Sequence, residues 1–308
     1  MQKILVAGGC GFLGSHLCEK LLSMGHEVIC LDNLHTGSKS NVYHLLDNPK
    51  FSLIIHDICS PIYLEVDGIF NMACPASPPK YQEDPIQTIK TCFMGSFNLL
   101  GIAKRLKVPV LLASTSEIYG DPLVHPQEES YWGNVNTIGP RSCYDEGKRI
   151  SETLFSDYKN QHGVDIKIAR IFNTYGPRMS KDDGRVVSNF INQALKNKRI
   201  SIYGKSKKTR SFCYVEDLIN GLIKLYFKKK CHLPINLGNP DEISINNLAK
   251  EIIKLTKSKS RVIYSEALKD DPRKRKPNIS KAKKLLKWNP QISLIEGLKE
   301  TIKFFKSQ

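Results

Sequence analysis

The sequence predicts an α/β protein: a doubly wound parallel sheet followed by a smaller, discontinuous C-terminal lobe. Three observations carry that prediction. The chain opens with Lys3 to Gly14, KILVAGGCGFLG, an apolar run into a glycine-rich turn that leads straight into a helical pattern. Strand-like and helix-like stretches then alternate through Ile171, as parallel sheets require because each crossover needs a helix. From Asn173 onward the alternation breaks into shorter pieces.

Taken in order, Ile4 to Ala7 is a short apolar run bounded by glycine and reads as a buried parallel strand, with a helix through His16 to Met24. Further strands are expected at Glu27 to Leu31, Phe51 to His56 and Gly68 to Met72. A long helix from about Pro85 to Leu106 leads to a fifth strand, Val110 to Ser114, and a helix around Tyr144 to His162 leads to a sixth, Ile166 to Ile171. Beyond it come a helix at Val186 to Lys196, a strand at Ile200 to Tyr203 and the basic turn KSKKTR. Phe212 to Tyr214, a helix at Val215 to Phe227 and a strand at Pro234 to Leu237 read as a return to the main sheet. Helices near Ser244 to Thr256, Ser280 to Leu286 and Leu294 to Phe305 complete the second lobe. The expected division is 1–176 plus about 205–238 for the sheet domain, and about 177–204 plus 239–308 for the smaller lobe, with a substrate cleft between them.

The opening stretch has a chemical meaning. Gly8, Gly11 and Gly14 stand between a strand and a helix N-terminus, where backbone N–H groups are unpaired and the helix dipole favours negative charge. Without side chains there, the backbone can approach a diphosphate closely, as in a Rossmann dinucleotide site. The next strand ends in Asp32, about 20 residues beyond the glycines, where a carboxylate can bind both ribose hydroxyls of an adenosine. A 2′-phosphate would meet that charge badly, so NAD is expected rather than NADP.

Composition narrows the class. At 308 residues, with 41% hydrophobic and 25% charged residues, the chain is an ordinary globular protein of one large and one small unit. The nine cysteines are odd in number and scattered without CxxC spacing, and the eight histidines form no HExxH or Cys/His cluster, so no metal site is expected. Several cysteines lie inside apolar runs, as small buried hydrophobes do in a reducing cytosol. The first strand starts almost at once, and no apolar run approaches the roughly 18 residues of a membrane span, so a cytoplasmic protein without a membrane anchor is expected. The formal net charge of +16 comes largely from lysines late in the chain. Solvated helix faces or an anionic ligand explain it, and no aromatic-rich RNA motif interleaves with these lysines, so no nucleic-acid partner is expected.

Two groups of residues carry chemistry, both at carboxyl ends of strands, where open α/β sheets place ligands. One is Ser114-Thr115-Ser116-Glu117-Ile118-Tyr119-Gly120, and the other is Tyr144-Asp145-Glu146-Gly147-Lys148. Tyrosine and lysine four apart share a helix face. Alone, such a pair is an ordinary surface feature. Beside a dinucleotide, the ammonium and the positive nicotinamide favour phenolate, which can take a proton from a sugar hydroxyl while the carbon loses hydride. Thr115 can hydrogen-bond the same oxygen.

These residues also carry a resemblance. GGCGFLG, STSEIYG, YDEGK and WNPQISLIEGL resemble the extended short-chain dehydrogenase/reductases that act on nucleotide sugars. HDICSPIYLEVDGIFNMACPASPPKY, LLASTSEIYGDPLVHPQ, YWGNVNTIGPRSCYDEGKR, RIFNTYGPRM, DGRVVSNF and DDPRKRKPNISKAK resemble, more narrowly, the UDP-glucuronate decarboxylase family, from about residue 3 to residue 306. The resemblance implies decarboxylation of UDP-glucuronate to UDP-xylose through a 4-keto sugar, with bound NAD and no net redox change. It implies Tyr144 as base, Lys148 as its partner, Thr115 at the C4 oxygen, Glu117 as the acid/base group near C5 and Arg275 on the carboxylate.

For the cofactor it implies Gly8, Gly11, Phe12, Leu13 and Gly14 at the diphosphate, and Asp32, Asn33, Thr36 and Gly37 around the adenosine. Asp57 and Ile58 would lie by the adenine, with Met72, Cys74, Thr91 and Ala113 completing the pocket. Tyr63, Lys90, Asn98, Asn173, Arg185, Tyr203 and Arg210 would meet the UDP-sugar together with Glu117 and Arg275. Basic residues suit a diphosphate plus a carboxylate, about three negative charges in all. Cys74 stands where the family usually has serine, and Met72 where it has leucine, so an altered NAD affinity is expected rather than lost activity. The resemblance also implies a homodimer paired through the helices at about 85–106 and 144–162. The competing readings are a nucleotide-sugar 4,6-dehydratase or 4-epimerase and, in another class, a non-catalytic RNA-binding or regulatory protein. A dehydratase wants two adjacent acids after the threonine, but Ser116 precedes Glu117.

Overall fold

A computed structural model describes residues 1–204, 208–266, 270, 272 and 274–308. Residues 205–207 of the KSKKTR turn, and residues 271 and 273 of the DDPRKRKP stretch, lie outside the described residues.

The first half runs β1 (Lys3–Ala7), α1 (Phe12–Ser23), β2 (Glu27–Asp32), β3 (Phe51–Ile55), β4 (Gly68–Asn71), α2 (Pro78–Glu83), α3 (Pro85–Lys90), α4 (Ser96–Leu106), β5 (Val110–Thr115), α5 (Ser142–His162) and β6 (Ile166–Ile171). The second half runs β7 (Thr174–Tyr175), α6 (Val186–Leu195), β8 (Ile200–Tyr203), β9 (Thr209–Ser211), β10 (Cys213–Tyr214), α7 (Val215–Tyr226) and β11 (Ile235–Leu237). It closes with β12 (Glu242–Ser244), α8 (Ile245–Thr256), β13 (Val262–Ser265), β14 (Lys274–Arg275), α9 (Ser280–Leu286) and α10 (Leu294–Lys306).

Seven strands form one parallel sheet in the order β11-β6-β5-β4-β1-β2-β3. The order reverses between β1 and β4, and the carboxyl ends of those strands open the crevice where such sheets bind ligands. Because side chains alternate across a strand, β1 feeds both faces. Ile4 and Val6 pack with Leu17 and Leu21 of α1 and Leu218 and Leu222 of α7. Leu5 and Ala7 pack on the other face with Leu99 and Ala103 of α4 and Phe155 of α5. Two helix layers on one sheet are the doubly wound architecture that the alternating pattern predicted.

Three elements differ from the sequence reading. The helix expected over 85–106 is α3 and α4 joined by a five-residue π-helical segment, Thr91–Gly95. No proline or cap marks it, and a one-residue change in hydrogen-bond pairing leaves no periodic signature. Phe212 to Tyr214 does not return to the main sheet: β10 pairs with β7 in a separate two-stranded ribbon, and β11 rejoins beside β6. A two-residue strand carries no period to read. Helix α2 begins within the CPASPPKY stretch, where the sequence pattern predicts no element.

Around the cleft, a three-stranded sheet in the order β12-β9-β14 sets Arg275 beside Arg210 in register, although 65 residues separate them in sequence. Helices α6, α8 and α10 pack together over it, while α9 lies against β11 and α7.

Candidate active site

The glycine turn is built by close approach. Gly8 has φ +78° and donates its N–H to Leu31 O at 2.7 Å. A Cβ on Gly14 would stand 2.0 Å from Gly8 O, so only glycine lets α1 rest on the turn. No side chain caps the N-terminus of α1 at Gly11, which leaves that end of the helix to a ligand. At the end of β2 the buried Asp32 carboxylate accepts from Cys10 N at 2.9 Å and Leu34 N at 2.8 Å. Burial raises its pKa while those two N–H groups oppose the rise. Gly37 passes so close that a Cβ would lie 2.9 Å from the Asp32 oxygens. Asp57 accepts from Asn33 Nδ2 at 3.0 Å and Cys59 N at 2.8 Å; burial opposes, but these hydrogen bonds hold it below the usual carboxylate range.

One hollow is lined by Gly8, Gly11, Asp32, Asn33, Thr36, Gly37, Asp57, Ile58, Met72, Cys74 and Thr91. Phe12, Leu13 and Gly14 border its continuation along α1. Met72 and Cys74 stand where both meet a third hollow, which Ala113, Thr115, Glu117, Tyr144 and Lys148 line. An elongated groove with an uncapped helix N-terminus in the middle, the Asp32 carboxylate at one end and a tyrosine at the other fits NAD.

Tyr144 and Lys148 project from α5, and Thr115 closes β5. The Lys148 ammonium donates to Ala113 O at 2.9 Å and lies 5.9 Å from the Tyr144 ring centroid. Tyr81 stacks on Tyr144 with centroids 5.1 Å apart and planes 3° from parallel. Burial pushes the Tyr144 phenol well above its ordinary pKa, the Cys74 thiol adds to that, and hydrogen bonding with Thr115 opposes it. The lowering expected from the ammonium does not overcome burial in the protein alone.

Beside the phenol, Glu117 is held by Arg141 and Arg275 together, with Arg275 Nη2 at 2.9 Å. Burial would raise the Glu117 pKa, but the two guanidinium charges bring it to about 2. Asp145 goes the other way: burial and the Glu117 charge raise it to about 8 despite Arg141 and Arg275. Two guanidiniums therefore converge on the single Glu117 carboxylate.

Asn173, Arg185, Tyr203 and Arg210 line the same hollow. Arg185 pairs with Asp183 and stands 5.6 Å over the Phe12 ring. The buried Arg210 donates to Pro272 O at 2.6 Å. Three residues expected at the sugar nucleotide lie elsewhere: Tyr63 is 86% exposed, Lys90 is exposed on α3, and Asn98 donates to Ile58 O at 2.8 Å. Sequence reasoning missed Arg141 and Tyr81, and gave Asp145 no role of its own within the Tyr144 to Lys148 group. Arg141 stands three residues before Tyr144, one turn away, and that spacing was its only signal.

Fold and site together define an enzyme of the extended short-chain dehydrogenase/reductase class. The family profile described as GDP-mannose 4,6 dehydratase matches residues 5–301. UDP-glucuronic acid decarboxylase 1 of Xenopus tropicalis is 52% identical over 307 residues, covering 100% of this chain and 73% of the relative. UDP-glucuronic acid decarboxylase 6 of Arabidopsis thaliana is 55% identical over 298 residues, 96% of this chain and 87% of the relative. Among solved structures, a UDP-glucose 4-epimerase from Thermotoga maritima with UDP-glucose has a TM-score of 0.89 at 28% identity, covering 99% of both chains. A UDP-glucuronic acid 4-epimerase from Bacillus cereus, in complex with UDP-glucuronic acid and NAD, has a TM-score of 0.89 at 27% identity, again over 99% of both. The chain belongs to the UDP-glucuronic acid decarboxylase family, within that wider dehydratase family.

Proposed function

We propose that the protein decarboxylates UDP-glucuronate to UDP-xylose and CO2 with resident NAD and no net redox change. The observation that carries this is the Glu117 cluster: two buried guanidiniums share one carboxylate within the hollow that Tyr144 lines. The surplus positive charge suits a second carboxylate, that of a uronic acid, which a neutral hexose lacks.

Tyr144 takes the proton of the C4 hydroxyl, with Thr115 holding that oxygen and Lys148 supplying charge beneath the phenol. NAD held in the groove by Gly11, Leu13 and Asp32 would supply reversible hydride exchange at C4 and a positive charge near the phenol. Oxidation at C4 leaves the substrate carboxylate β to a ketone, so CO2 departs as its electrons enter an enolate. Arg275 turns to the substrate carboxylate and then to the developing oxyanion. Glu117 then keeps Arg141 alone, its proton affinity rises, and it serves proton return at C5. Asn173, Arg185, Tyr203 and Arg210 hold the UDP-sugar; by the division above, Arg185 and Tyr203 belong to the smaller lobe and Asn173 and Arg210 to the sheet domain.

We also infer a homodimer and a cytoplasmic location. Exposed Ile86, Ile89, Met94 and Phe97 run along the 85–106 helix beside exposed Ile150 of α5, an apolar stripe that a second copy would cover. No helix among the described residues is long and apolar enough to cross a membrane. Incubation with UDP-glucuronate and no added NAD tests the activity. UDP-xylose with CO2 supports it, a C4-inverted uronate returns the epimerase reading, and an unchanged nucleotide returns a binding protein.

A further inference from the structure

We infer that Cys74 and Cys92 form a dithiol modification site in the wall of the cofactor groove, which a peroxide converts to a disulfide. The two Sγ atoms stand 3.3 Å apart. Bonding at about 2.0 Å needs them to close by little more than an ångström. Cys74 is half-buried on the loop after β4 and borders all three hollows, so a small oxidant reaches it from the groove. Cys92 is buried directly behind it in the π-helical segment. Burial and the neighbouring Cys92 push the Cys74 thiol well above its ordinary pKa against the Lys148 ammonium, whereas the hydrogen bond from Cys74 holds Cys92 below its own.

The protein carries its own comparison. Cys10 and Cys30 have sulfurs 3.7 Å apart, but both are fully buried. Their mutual hydrogen bond and burial push the Cys10 thiol up, with the Asp32 charge adding to it. Proximity alone would oxidise both pairs; access from the groove selects Cys74 and Cys92.

The chemistry balances. The Cys74 thiolate attacks one peroxide oxygen, forming a sulfenic acid as the O–O bond breaks and the other oxygen leaves as water. The Cys92 thiolate then attacks the Cys74 sulfur, forming the S–S bond and expelling the sulfenic oxygen as a second water. Two electrons pass from the thiols to the peroxide, and the two thiol protons end in the waters.

The linkage would act on the catalytic helix. Cys92 O accepts from Ser151 Oγ at 2.9 Å, and Gly147 packs so closely that a Cβ there would stand 3.0 Å from Cys92 Sγ. Gly147 and Ser151 flank Lys148, so drawing Cys92 toward Cys74 shifts the ledge under Tyr144 and Lys148. Any effect on turnover rests on the decarboxylase reading; the linkage does not.

The test is hydrogen peroxide on the reduced full chain, followed by intact mass and non-reducing peptide mapping. The expected result is loss of two hydrogens, a peptide joining Cys74 to Cys92, reversal by dithiothreitol and slower linkage with NAD added. UDP-glucuronate turnover falls on the order of a hundredfold and recovers on reduction. In Cys92→Ala the link is absent and Cys74 proceeds to sulfinic acid; the wild-type map decides the matter even if that variant does not fold. Free alkylatable thiols at 74 and 92 after treatment, or prior linkage of Cys10 to Cys30, would overturn the inference. A wild-type link that forms without any UDP-glucuronate turnover upholds the site and refutes the decarboxylase reading alone.

Discussion

Tyr144 is held as a neutral phenol by its surroundings, which makes its proton the first thing catalysis must move. Tyr144→Phe keeps the ring stacked on Tyr81 and deletes only the hydroxyl. Turnover of UDP-glucuronate should fall by about 10²–10⁴-fold while the thermal melt stays near wild type. Asp145 gives a second prediction, through pH. Its pKa rises from 3.8 to about 8 on folding, so the folded state keeps a proton that the unfolded chain releases. Stability from this group therefore falls as pH rises between those values. Asp145→Asn should flatten that slope in melts across the range, and a pH-independent difference from wild type would refute it. Glu117 has the opposite sign: its stabilisation is present above 4.5 and is lost as pH falls toward about 2. Tyr144, Lys148 and Thr115 were legible because motif spacing and strand ends place them. Arg141 and Tyr81 were not, because Arg141 matters through Glu117 on another element and Tyr81 through a stacking partner 63 positions away.

At the level of elements, the β1–α1 turn is the least forgiving. A methyl group at Gly14 would collide with Gly8 O in backbone that cannot turn aside. Gly14→Ala should cost about 1–3 kcal/mol in a urea melt and release NAD, whereas an unchanged melt with NAD retained would contradict the packing. Most helices and all main-sheet strands were readable from apolar period and length. The π-helical segment and α2 were not, and neither were the short strands β7, β9 and β14 or the pairing of β10, because these strands are fixed by partners far away in sequence. That loss matters for function: the β9–β14 register is what sets Arg210 and Arg275 side by side.

On the scale of the molecule, the parallel sheet presents the cofactor groove at its order reversal, and the separate β12-β9-β14 sheet carries the guanidiniums of Arg210 and Arg275 to the same opening. The exposed stripe on the 85–106 helix makes a prediction here. Phe97→Glu puts a charge in the apolar face and should shift light-scattering mass from dimer to monomer, while a wild-type monomer would reject the dimer. The central claim is that a uronate loses its carboxyl group on this protein. The direct measurement is NMR of the products formed from carboxyl-labelled UDP-glucuronate in deuterated water. The account predicts labelled CO2 and UDP-xylose carrying one solvent deuterium at C5. A sugar nucleotide that keeps its labelled carboxylate, whatever its configuration at C4, would contradict it.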